Sequence, residues 1–138
     1  MNKSTASDLE LLVKIEGIDE PKIAAYFVRL NSGDFKDAAA LFAERGQLAP
    51  PFENPIEGRA KIAAYLETEA SGMSFWPESG MLLLRDDDLS QYHINGKVKT
   101  NYFTINVSWL IQLNADKEIL LVEVKLLAAL EELLKFSK

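Results

Sequence analysis

The sequence predicts an α+β fold in which a curved antiparallel sheet wraps around N-terminal helices. Three observations carry this. Helical periodicity comes first along the chain and consecutive strands follow, the order typical of α+β proteins. The strands alternate apolar and polar side chains, so their sheet has an apolar face that must be covered. The preceding helices are the available cover. A bent sheet closed by helices is a cone with an apolar interior suited to a ligand.

The elements follow in order. Residues 1–18 read as an N-terminal arm. Met1–Ser7 is polar, and Leu9, Leu11, Leu12, Val13 and Ile15 suit packing on the body or on a partner. Residues 19–138 read as one domain. The first helix spans Asp19–Asn31, with Asp19 as N-cap and Pro21 in the first turn, where its missing N–H costs nothing. Ile23, Tyr26, Phe27 and Leu30 fall on one face, and Asn31-Ser32-Gly33 stops the helix. Asp34 then caps a second helix, Phe35–Arg45, with Asp37 at N3. Gly46 ends it, and the two form a helical hairpin. Gln47–Ala49 is a short strand. The prolines of Pro50–Pro55 make a stiff extended loop. A third helix, Gly58–Ala70, stops at Gly72.

The rest reads as strands, closed by a terminal helix. Ser74–Arg85 is apolar but bent or split by Pro77 and Gly80. Asp86–Asp88 is a turn. Leu89–Thr100 sets Tyr92, Ile94 and Val98 against Gln91, His93, Lys97 and Lys99. Asn101–Leu113 places Phe103, Ile105, Val107, Trp109, Ile111 and Leu113 on one face. Asn114–Lys117 is a hairpin turn. Glu118–Leu127 puts Leu120, Val122, Val124 and Leu126 on one face, and a helix over Ala128–Phe136 follows.

Composition excludes several functions. The chain has 138 residues, 48 % hydrophobic and 26 % charged, so it is a globular protein rather than a disordered one. A net charge of −6, from 21 acidic and 15 basic residues, disfavours a phosphate backbone, so no nucleic-acid partner is expected. Cysteine is absent and His93 is the lone histidine, which excludes disulfides and thiolate chemistry and disfavours a zinc site or a His-dependent triad. No apolar run has the length of a membrane span, and Met1–Ser7 lacks the apolar core of a signal peptide. A cytoplasmic location is expected, with membrane contact at most transient.

The candidate chemistry is sparse. An enzyme of this shape needs a buried acid or base. His93 falls on a polar strand face, Asp86, Asp87 and Asp88 lie in a turn, and Glu123 points outward. Glu53, in the proline loop, is the acid least easily set aside, yet no catalytic residue is assigned. Tyr26 and Trp109, by contrast, sit on apolar faces, each with one polar donor on an apolar body. Two readings stay open. They are core aromatics bonded to backbone carbonyls, or they converge on one acceptor of an apolar ligand. Trp76 and Tyr102, near strand ends, are placed to line a cavity mouth.

Several islands then carry a resemblance. Ile15-Glu16-Gly17, Tyr26 and Leu30–Phe35 come first. Pro50-Pro51-Phe52, Pro55–Gly58, Pro77–Gly80, Gly96–Thr100, Asn106–Trp109, Leu126–Ala128 and Leu133-Leu134 follow in order. This pattern resembles the C-terminal domain of the cyanobacterial orange carotenoid protein family, a nuclear-transport-factor-2-like (SnoaL-like) cone, without the helical carotenoid-binding domain before it. The resemblance implies a non-covalent ketocarotenoid cofactor of the canthaxanthin or echinenone type. Its ring carbonyl would accept hydrogen bonds from Tyr26 and Trp109. Leu30, Phe75, Phe103 and Ile105 would line the tunnel, with Tyr102 at its mouth. It also implies a homodimer around one pigment, transfer to a helical carotenoid protein, and photoprotective quenching of singlet oxygen by the pigment. Asn101-Tyr102 stands where the family commonly has Pro-Trp. The connection before Trp109 is short. Ala70 lies where many homologues carry a cysteine, so a disulfide switch of that type is excluded. The competing expectations are a cone-fold isomerase or hydrolase, a binder of another small apolar ligand, and a protein-interaction module.

Overall fold

The computed structural model describes residues 14–127. Most of the N-terminal arm and the expected helix over Ala128–Phe136 lie outside them. Within these bounds the chain order is α1 (Pro21–Asn31), α2 (Phe35–Ala40), β1 (Phe42–Ala49), β2 (Ile56–Glu57), α3 (Arg59–Glu69), β3 (Ser74–Arg85), β4 (Leu89–Lys99), β5 (Thr104–Asn114) and β6 (Ile119–Leu126). The strands form one six-stranded sheet in the order β2-β1-β6-β5-β4-β3. Every pairing is antiparallel except β1 with β6, which is parallel. The helices pack on the apolar face, as the alternation requires.

Helix α1 forms because its apolar residues repeat at helical spacing. Ile23, Tyr26, Phe27 and Leu30 are all buried. Its N-cap is Glu20 rather than Asp19. The Glu20 carboxylate accepts from the Lys22 N–H at 3.1 Å, and Pro21 takes the first helical position. Asp34 caps α2 without a side-chain hydrogen bond; only its backbone carbonyl accepts, from Ala38 N at 2.9 Å.

The second helix ends at Ala40, not Arg45, and the expected short strand is eight residues long. Helix propensity in Ala43-Glu44-Arg45 is overridden by pairing with β6 on either side, at Phe42 and at Gln47, and the three residues span the register shift between them. Phe42 lies opposite Ile119, and both are wholly buried. The Ile119 N–H donates to the Leu41 carbonyl at 2.9 Å.

Strand β3 is continuous but irregular, with register shifts between Pro77 and Ser79 and between Leu82 and Leu84. Its bend receives the end of the arm. Glu16 N donates to Glu78 O at 3.2 Å, and Gly80 N donates to Glu16 O at 2.8 Å. In β6 a bulge between Gln112 and Leu113 of the partner strand changes the facing residue. Ile119 enters the core in place of the expected Leu120. Strand β5 starts at Thr104, three residues later than expected. The Thr100 hydroxyl accepts from Tyr102 N and Phe103 N, both at 3.1 Å, and closes a turn there.

Candidate functional site

A cavity of about 200 Å³ lies between the helices and the concave face of the sheet. Helix α1 brings Tyr26 and Leu30 to it. Strand β5 brings Ile105, Val107 and Trp109, and β4 brings Val98. Phe75 closes it from β3, with Leu48, Val124 and Leu126 from β1 and β6. Pro50 and Pro51 of the proline loop and Tyr65, Leu66, Glu69 and Ala70 around α3 complete the wall with Met73 and Thr100. Glu69 is its one exposed lining residue and marks where it meets solvent.

Tyr26 and Trp109 each keep only 2 % of their surface exposed. Phe27 holds them together: its ring meets Tyr26 edge-on at 5.5 Å and Trp109 edge-on at 4.8 Å. Phe42 fixes Tyr26 from another side at 5.8 Å. Gly96 lies behind the indole. A Cβ there would come within 3.0 Å of Trp109 Cζ3 and would run into the Trp76 carbonyl. Only the smallest residue leaves the indole its place.

Neither the Tyr26 hydroxyl nor the Trp109 N–H finds an acceptor among the described residues, and no sealed side-chain nitrogen or oxygen there lacks a partner. Both residues line the cavity, and neither donor is sealed off from space. Burial raises the Tyr26 phenol far above its ordinary value, which keeps it a neutral donor. On the α3 side, Tyr65 is pushed up to about 12, mainly by burial and then by its hydrogen bond to Glu53 at 3.1 Å.

Of the residues expected at the site, Tyr26, Trp109, Leu30, Phe75 and Ile105 border this one cavity. Tyr102 and Phe103 do not line it. They lie in the turn after Thr100, 89 % and 57 % exposed. Glu53 holds Tyr65, Asp86 closes a turn by accepting from Asp88 N and Leu89 N, and His93 is half-buried opposite Leu110. Tyr65 and Met73 were not picked out from the sequence, and Gly96 and Thr100 entered only as the ends of one resembling island, with no role at the site. Tyr65 and Met73 sit beside the apolar Ile62, Leu66, Ala70 face of α3, a signal that was legible. The role of Gly96 rests on a cross-strand approach that spacing does not reveal.

A cone-shaped sheet closed by helices over an apolar cavity defines the nuclear-transport-factor-2-like class. The solved structure of an NTF2-like protein of unknown function from Cytophaga hutchinsonii covers 86 % of this chain and 98 % of its own at TM-score 0.64, with 16 % identity. The Anabaena (Nostoc) orange carotenoid protein binding canthaxanthin superposes at TM-score 0.80 with 36 % identity, over 89 % of this chain and 40 % of that one. The orange carotenoid-binding protein of Synechocystis is 33 % identical over 130 residues, 91 % of this chain and 41 % of that protein. No protein-family model matches the chain. The chain is a homologue of the orange carotenoid-binding protein, matching its C-terminal domain and spanning about two fifths of its length.

Proposed function

We propose that the cavity binds one end ring of a ketocarotenoid, canthaxanthin or echinenone in type, with the ring carbonyl accepting from Tyr26 and Trp109. One observation carries this reading. Two residues with unpaired donors line an apolar cavity, and covering both donors with a purely apolar ring would cost about 1–3 kcal/mol each. A carbonyl ring satisfies both at once. Leu30, Phe75 and Ile105 flank the ring, and burial of apolar polyene at about 25 cal/mol per Å² supplies most of the affinity. The similarity to a canthaxanthin-binding relative supports the ligand class.

A cavity of about 200 Å³ takes a ring and not a whole carotenoid. The remainder protrudes beside the exposed Tyr102 and Phe103. A second copy covering it gives a homodimer, and release to a helical carotenoid protein gives carriage and transfer. Quenching of singlet oxygen then belongs to the pigment. The site is read as binding rather than catalytic. Its lining acid, Glu69, is exposed, so the cavity offers no buried carboxylate for general acid–base work.

The test is reconstitution of the purified protein with canthaxanthin and with β-carotene, which has the same polyene and no carbonyl. Canthaxanthin is expected to stay bound through gel filtration and β-carotene to bind at least about tenfold more weakly. Equal retention of the two would overturn the two-donor site.

A further inference from the structure

Two concavities lie back to back in this protein. Leu30, Ala70 and Met73 border both the apolar cavity and a polar groove of about 680 Å³. The groove runs between the turn after α1 and the turn after α3, where Ser32, Gly33, Ser71 and Gly72 lie. The partition is therefore about one side chain thick. Leu30 and Ala70 are buried and Met73 is half-buried. Ala70 contributes a single methyl, and Met73 is unbranched and changes rotamer at low cost.

Asn31 stands at the end of this wall. Its Nδ2 donates to the Phe75 carbonyl at 2.8 Å, and Phe75 N donates to its Oδ1 at 2.7 Å. The side chain takes the place of a neighbouring strand on the Phe75 backbone. It ties the end of α1, which carries Leu30, to the start of β3, beside Met73. Asn31 is exposed, so both bonds compete with water and the tie is reversible.

We infer that the Leu30, Ala70 and Met73 wall is a second portal of the cavity, and that Asn31 is the positioning residue that holds it shut. What passes through rests on the ligand reading above; the opening is a property of the unliganded protein. Loss of the Asn31 pair lets the start of β3 swing away from α1, and Met73 moves with it. The apolar cavity then joins the groove.

The test uses the unliganded chain with Trp76→Phe, so that fluorescence reports Trp109 alone, and acrylamide as quencher. Asn31→Ala is expected to raise the quenching constant about threefold. Asn31→Asp keeps the bond from Phe75 N and should fall between. Adding Met73→Phe to Asn31→Ala thickens the wall and should return the constant towards the parent value. Leu113→Ala is the control, since it removes a wholly buried side chain that borders neither space. Unchanged quenching in Asn31→Ala, or an equal rise in Leu113→Ala, would overturn the portal. The measurement needs no pigment, so failure of the carotenoid reading leaves its result intact.

Discussion

Gly96 sets the tolerance of the site at the scale of one residue. Its missing side chain is where the Trp109 ring and the Trp76 carbonyl pass. Gly96→Ala should displace the indole and lower pigment retention while leaving both donors in the sequence, measured as bound pigment per protein after gel filtration. Phe27 is the matching constraint from the helix side. It is wholly buried and touches both donor rings. Phe27→Ala should cost about 3–5 kcal/mol in denaturant titration, by lost burial and a residual void. The tyrosines set an alkaline limit. The folded state holds Tyr65 at about 12 and Tyr26 higher still, against about 10 in an unfolded chain. Between those values the unfolded chain has lost protons that the folded one keeps. The contribution is full below pH ~10 and is lost as pH rises toward the folded values. Stability measured across this window should fall with pH, and less steeply in Tyr26→Phe.

The elements differ in how far the sequence disclosed them. Helix α1 was legible because proline position and apolar spacing agree, although the cap is Glu20 and not Asp19, and its Tyr26 and Leu30 follow from that spacing. Strand β5 was legible by alternation, so Trp109 was placed correctly on an apolar face. The end of α2 was not. Ala43-Glu44-Arg45 favours helix locally, and only the pairing of the flanking Phe42 and Gln47 with β6, far along the chain, draws it into a strand. Phe103 fits the alternation of β5 but falls in a turn that the Thr100 hydroxyl closes. The bulge opposite Leu113 has no local signature, which is why Ile119 and Leu120 exchanged roles. Gly17 joins the arm to β3 at φ +88°, and a side chain there would strike the Gly80 carbonyl. Gly17→Ala should therefore destabilise by about 1–3 kcal/mol in denaturant titration and weaken protection of the Gly80 amide from hydrogen exchange.

At the scale of the whole molecule, a six-stranded sheet and its helices leave an interior large enough for a ring. Protein of 15.4 kDa loaded with one pigment per dimer should elute at about twice that mass, and the unloaded form should shift toward the monomer as it is diluted. The central claim is that Tyr26 and Trp109 together hold a ring carbonyl. Its most direct test is co-expression in a ketocarotenoid-producing bacterium, followed by the absorption spectrum of the purified protein. A red-shifted visible band is expected, weaker in Tyr26→Phe and in Trp109→Phe. A colourless protein, purified from a host in which an orange carotenoid protein purifies coloured, would contradict it.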